Sequence, residues 1–250
     1  MGKPQRILVV SDLHAPYHDK RAWSLLLKTI RALRPERIVI IGDFADCYAV
    51  SAHLKSMARR LSFELEIEAV NGALDELQRA AGLKCVITFC EGNHETRITR
   101  YCQTNAPELG GLDGLQFPSM TRLRDRGIAF VPYRRHVWIG KCAFTHDLGR
   151  AGANAARQTV VDFGGNIVIG HTHRGGIAYQ GETRGRSHFC LNVGWLGDLE
   201  LIDYVHLAKA KRDWQHGFGW IDQDAAGNSW AQFIPIVGGA VKVEGERIAA

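Results

Sequence analysis

Apolar residues in this chain come in two rhythms. Short continuous runs, Arg6–Val10 (R-I-L-V-V), Arg37–Ile41 (R-I-V-I-I) and Cys85–Cys90 (C-V-I-T-F-C), predict strands buried on both faces. Between them, Asp19–Leu33 carries Ala22, Leu25, Leu26, Thr29, Ile30 and Leu33 at helical spacing, with Asp19 as N-cap and Pro35 beyond the end. Ser62–Ala81 is a second helical pattern, with Phe63, Leu65, Ile67, Val70, Leu74 and Leu77 among its apolar positions and Gly82 as C-cap. Strand, helix, strand, helix, strand predicts a parallel α/β sheet.

The second half changes rhythm. Gly127–Pro132, His136–Ile139, Lys141–Thr145, Asn166–Ile169, Ile177–Gln180, His188–Asn192, Gly217–Ile221 and Trp230–Ile234 predict short strands. Turns are expected at Gly140-Lys141 and at Ala225–Asn228. Two packed sheets in a single domain over residues 1–250 are expected, since no Pro- or Ser-rich linker and no fixed-period repeat divides the chain. Gln103–Arg126 reads as an irregular surface excursion, Ser51–Arg60 has no clear pattern, and about Glu244–Ala250 reads as a frayed tail.

Composition narrows the class. The 250 residues are 46% hydrophobic and 23% charged, which excludes disordered, collagenous and coiled-coil chains. No apolar run reaches the ~20 residues that span a bilayer, and no leader precedes Arg6–Val10, so a soluble cytoplasmic protein without a membrane partner is expected. The six cysteines form no C-x-x-C pair; Cys85, Cys90, Cys142 and Cys190 lie in apolar runs and are expected as reduced, buried small hydrophobes. The net charge of +5 suits a phosphate-bearing substrate without choosing one.

The eleven histidines matter through their placement. Five clusters each follow an apolar run: Asp12-x-His14, Gly42-Asp43, Gly92-Asn93-His94-Glu95, Thr145-His146, and Gly170-His171-Thr172-His173. Ligands of α/β sheets gather at the carboxyl ends of strands. Singly, such residues are ordinary turn and capping residues. Together, Asp12, His14, Asp43, Asn93, His146, His171 and His173 offer oxygen and imidazole donors and no thiolate, which suits borderline-to-hard divalent ions. Seven donors are too many for one tetrahedral ion. If Asp43 bridges, they divide into two sites of about four, and ions ~3.5–4 Å apart can clamp both oxygens of a phosphoryl transfer.

The ordered series D-x-H, G-D, G-N-H-E, H and G-H-x-H, from Asp12 to His173, resembles the calcineurin-like metallophosphoesterases. The Gly42-Asp43-Phe44 start, the long helix before Glu91–Glu95, and Arg97 and Arg100 beyond it resemble the stand-alone phage and bacterial type. The resemblance implies a four-layer αββα sandwich with two mixed β-sheets and the site at the strand ends. It implies that Asp12, His14, Asp43 and His173 hold one ion and Asp43, Asn93, His146 and His171 the other. His94 would face the substrate, orienting the phosphate or protonating the leaving oxygen, while metal-bound hydroxide attacks phosphorus. Thr145-His146-Asp147 departs from the Gly that usually flanks the family's fourth motif, and His136 competes with His146 for that place.

The expected function is therefore hydrolysis of a phosphate ester with two divalent ions, Mn before Fe, Zn, Ni or Co. A phosphodiester in nucleic acid or a nucleotide is the first substrate choice. A phosphomonoester of a small molecule or phosphoprotein is the alternative, and a binding module without catalysis is a third. Arg97 and Arg100 are either phosphate contacts or one solvated helix face. Arg59-Arg60 and Lys209–Arg212 read as solvated faces. Trp195, Trp214, Trp220 and Tyr204 read as core more than as base-stacking groups, and His53 and His206 are open as pocket walls. Nothing in the sequence selects an oligomeric state; a phage-encoded chain would act in the host cytoplasm.

Overall fold

The computed structural model describes residues 3–53, 55, 62–183, 185–201 and 213–250. The readings made for Arg59, Arg60, Tyr204, His206 and Lys209–Arg212 lie outside these residues, as does most of Ser51–Arg60. The first half runs β1 (Gln5–Val10), α1 (Lys20–Leu33), β2 (Arg37–Ile41), α2 (Phe63–Ala81), β3 (Val86–Cys90), α3 (Thr96–Asn105), α4 (Phe117–Met120) and β4 (Ala129–Val131). Then follow β5 (Val137–Ile139), β6 (Cys142–Phe144), α5 (Ala155–Phe163), β7 (Asn166–Ile169), β8 (Gly175–Gly181), β9 (Ser187–Val193), β10 (Gly217–Gln223), β11 (Ser229–Pro235), β12 (Ala240–Val243) and β13 (Glu246–Ala249).

A six-stranded sheet has the order β11-β10-β1-β2-β3-β4, and a five-stranded sheet the order β5-β6-β7-β9-β8. Both are mixed: β1, β2, β3 and β4 are parallel neighbours, while β10 runs antiparallel to β1. In the second sheet β6, β7 and β9 are parallel, while β5 and β8 run antiparallel to β6 and β9. The period of two explains the unbroken apolar runs. Leu8, Val10, Ile38 and Ile40 meet α1 and α2 on the outer face, while Ile7, Val9, Val39 and Ile41 meet Phe144, Val168, Leu191 and Val193 of the second sheet. On the far side, Ala143, Ile167, Ile169 and Cys190 pack beneath Val160 of α5. The result is the expected four layers.

Both long helices start at a side-chain cap, α1 at the expected Asp19. Asp19 Oδ1 accepts from the amides of Arg21 (2.8 Å) and Ala22 (3.0 Å), and Ser62 Oγ accepts from Leu65 N (3.3 Å). The buried stripe of α2 differs at its first turns. Leu65 is 50% exposed, and Glu66 is buried instead, because Tyr17 Oη (3.3 Å) and the Ala49 amide (3.2 Å) both donate to its Oε1.

Three expectations need correction. The end of the chain is not frayed: β12 and β13 form an antiparallel hairpin, Val243 opposite Glu246, with Glu244 and Gly245 both at positive φ in the turn. Val241 and Val243 are buried, and partly buried Ile248 packs on the core beneath α1 and α2. Residues 103–126 do not merely cross the surface, since Phe117 and Leu123 are buried and the Phe117 ring lies 5.2 Å from that of Phe89. Cys90, Cys142 and Cys190 are buried as expected, whereas Cys85 is half-buried and outside β3. Among the described residues, no helix is long and apolar enough to cross a membrane.

Candidate metal centre

The carboxyl ends of β1, β2, β3, β6 and β7 converge, so both sheets contribute to one site. The first two loops are zipped together by Asp12 N donating to Gly42 O (3.1 Å) and His14 N to Asp43 O (2.9 Å). The glycines serve closeness more than turning. Gly42 has a φ of +84°, but Gly92 and Gly170 do not lie in the left-handed region. A Cβ on Gly92 would stand 2.3 Å from Asp43 N and Oδ1, and one on Gly170 would stand 2.6 Å from Asp12 Oδ2.

All seven candidate ligands meet here, and with them His94. His14 Nε2 and His173 Nε2 are 3.1 Å apart, and His173 Nε2 is 3.2 Å from Asp12 Oδ1. On the other side, His146 Nε2 lies 3.3 Å from Asp43 Oδ2 and 3.0 Å from Asn93 Oδ1, and His171 Nδ1 lies 2.9 Å from the same Asn93 oxygen. Donor atoms of Asp12, His14 and His173 lie within 4.8 Å of one another, as do those of Asp43, His146 and His171, and a third such group joins His14, Asp43 and His94. Asp43 thus stands where the two halves meet.

The inner oxygens are already used and the outer ones face the gap. Asp12 Oδ2 accepts from Ser11 Oγ and from His171 N (2.9 Å), whereas Asp12 Oδ1 is buried with no hydrogen-bond partner. Asp43 Oδ1 accepts from His94 N (2.8 Å), leaving Oδ2 toward the imidazoles. His146 Nδ1 is fixed on Ile41 O (2.8 Å), which aims Nε2 inward. An orphaned carboxylate oxygen among convergent imidazole nitrogens suits a divalent cation.

The electrostatics agree. Burial opposes ionisation of both carboxyls, yet the imidazoles outweigh it: His173 holds Asp12 below the ordinary range, and His146 with His94 holds Asp43 well below it. Burial keeps His14 neutral down to about 3, as a ligand imidazole must be. Asp43 outweighs burial at His146 and pushes it up to about 10, so a cation held there would displace a proton.

His94 has its own surroundings. Its Nε2 is 3.7 Å from Asp43 Oδ2 and 3.0 Å from Arg97 Nη2, and its Nδ1 is 3.2 Å from Asp46 Oδ1. Arg97 Nη1 donates to Asp46 O (2.8 Å) and Oδ1 (3.0 Å). Arg97 therefore touches the site through His94, while Arg100 is exposed one turn along α3. His136 lies against Trp138 and Phe163, whereas His146 lies among the other candidate ligands. Trp195 is buried and stacks on His173 (5.0 Å between centroids), Trp214 meets the same ring edge-on, and Trp220 is core.

Two buried carboxylates had no role in the sequence reading. Asp46 orients His94 and Arg97. Glu95, fully buried, accepts from the amides of Gly92 (2.8 Å), Asp43 (3.0 Å) and Ala45 (2.9 Å), tying the β2 and β3 loops. The spacing Asp43-x-x-Asp46 and the motif's own Glu95 were the available signals.

The family model for the calcineurin-like phosphoesterase superfamily domain matches residues 6–201. The chain belongs to this superfamily. As a calcineurin-like phosphoesterase it is a hydrolase of phosphate esters that depends on divalent metal. It is 28% identical to the Gene 54 protein of Mycobacterium phage D29 over 260 aligned positions, covering 96% of this chain and 97% of that protein. The Gene 54 protein of Mycobacterium phage L5 is 27% identical with the same coverage. Among solved structures, Vacuolar Protein Sorting 29 from Cryptosporidium parvum matches at 15% identity and a TM-score of 0.48, covering 99% of this chain and 96% of that one. YfcE, a phosphoesterase from E. coli, matches at 14% identity and a TM-score of 0.39, covering 98% of both chains.

Proposed function

We propose that this calcineurin-like phosphoesterase hydrolyses phosphodiesters of nucleotides or nucleic acid at a centre of two divalent ions, manganese by preference. Asp12, His14, Asp43 and His173 hold one ion in this reading, and Asp43, Asn93, His146 and His171 the other. Such ions, when bound, lower the pKa of water toward neutrality and draw charge from phosphoryl oxygens. The chain's own residues do the rest. Asp43, between the two ligand groups, offsets repulsion between neighbouring cations. His94 presents Nε2 beside Asp43, where it hydrogen-bonds the phosphate or passes a proton to the leaving oxygen. Asp46 holds the opposite ring nitrogen, so the imidazole keeps its orientation through the reaction.

The observation that carries the two-ion reading is the position of Asp43, which groups with His146 and His171 on one side and, on the other, with His94 and with His14, itself a member of the Asp12 and His173 group. The diester preference rests on the net positive charge and the phage relatives, which also favour action in a host cytoplasm. Turnover of bis-p-nitrophenyl phosphate and p-nitrophenyl phosphate by manganese-loaded protein tests it. A higher kcat/KM on the diester is expected; a higher value on the monoester overturns the substrate choice.

A further inference from the structure

We propose that a cavity on the outer side of Arg97 is a nucleoside pocket, seating the organic group of a nucleotide whose phosphate lies at the metal centre. The inference rests on the phosphoesterase reading and names the substrate group that the site selects. The cavity has a volume of about 360 Å³ and lies between residues 50–53 and α3. Arg97 forms part of its wall, and the same guanidinium stands 3.0 Å from His94 Nε2. His94 in turn stands 3.7 Å from Asp43 Oδ2. In the proposed pose, a phosphoryl group beside Asp43 turns its ester oxygen toward His94, and its organic substituent passes Arg97 to reach this space.

The walls carry the chemistry a nucleoside needs. Arg97, Tyr101 and Asn105 follow at intervals of four along α3, so a guanidinium, a phenol ring and a carboxamide form one stripe. Arg100 lies beside them. Tyr101 is 46% exposed and lines the cavity. Bases stack on aromatic rings and on arginine planes whatever their sequence. Asn105 Nδ2 donates to Tyr101 O (3.0 Å), which leaves Oδ1 to accept from a base edge. Among the described residues no Asp or Glu lines the cavity and Arg100 has no carboxylate partner, so no carboxylate there repels the phosphate that the nucleoside carries. Its volume, near the low end for small-molecule sites, admits one nucleoside and not a duplex.

Calorimetric titration of the full chain in manganese buffer with AMP, ribose 5-phosphate and inorganic phosphate tests this. AMP is expected to bind at least ten-fold more tightly than either of the others. Tyr101→Ala and Arg100→Ala, both at exposed positions and checked by an unchanged Tm, should each cut that preference to three-fold or less. Arg79→Ala, which lines a separate cavity between α1 and α2, should leave it intact. Equal binding of AMP and ribose 5-phosphate, or a preference kept in both pocket variants, overturns the pocket. If that happens while phosphate binds and bis-p-nitrophenyl phosphate is hydrolysed, the phosphoesterase reading stands and only the pocket falls. If phosphate does not bind and no ester is cleaved, both fall.

Discussion

Five of the candidate ligands hold backbone conformations that side chains other than glycine seldom adopt. Asp12 (φ 52°), His14 (54°), Asp43 (48°), His171 (66°) and His173 (59°) are all left-handed. Each such residue costs on the order of 1 kcal/mol or more and persists only where its surroundings over-determine it. The surroundings do so: amide-to-carbonyl bonds join the β1 and β2 loops, and Glu95 accepts three amides from the β2 and β3 loops. The residue types were legible in the sequence because they stand at strand ends. The strain, and the supporting work of Asp46 and Glu95, were not, since both depend on partners about 50 residues away. His94 is separable from the ligands at this scale. Replacing His94 with Ala should lower kcat by about 10²-fold or more, the usual range for a lost acid–base group, while bound metal measured by mass spectrometry stays near the wild-type level. An equal fall in metal content would make His94 a ligand.

At the scale of elements, α1, α2 and the inner strands were readable from period and caps, because burial on one face or both leaves a regular pattern. The α3 helix was legible only as one of two readings of Arg97 and Arg100, and α4, α5, β12 and β13 were not read at all, because a helix of at most three turns holds little periodicity and the closing strands carry no continuous apolar run. The closing hairpin shows what that hides. If residues 240–250 cover the core as Val241 and Val243 indicate, truncation after Gly239 should lower Tm by several degrees, as burial of each valine contributes about 1.5–3 kcal/mol. An unchanged Tm would restore the frayed tail. Glu66 supplies a pH test on α2. Burial, with Asp46 nearby, pushes its carboxyl up to about 7 from 4.5. The folded state thus keeps a proton that the unfolded state has lost, and stability falls as pH rises from about 4.5 through 7. Glu66→Gln retains an acceptor for Tyr17 and Ala49 and removes the titration. It should raise Tm at pH 8 by about 2–4 °C for each kcal/mol gained, with little gain at pH 4.5. The same increment at both values would show that Glu66 titrates normally.

At the scale of the molecule, two sheets that are remote in sequence place their strand ends on one edge. The first sheet supplies Asp12, His14, Asp43, Asn93 and His94; the second supplies His146, His171 and His173. The ordered motifs made this meeting legible through family resemblance, whereas the pairing order of the strands was not readable, since β10 returns from the end of the chain to lie beside β1. Cations bound across the two halves should also hold the sheets together, because anything that binds only the folded state stabilises it. The most direct test is metal analysis of purified wild-type protein beside Asp43→Asn. Two divalent ions per wild-type chain, falling to one or fewer in the variant with loss of ester hydrolysis, is the predicted result. A single ion in the wild type, or two ions retained without Asp43, would contradict a centre bridged by this carboxylate.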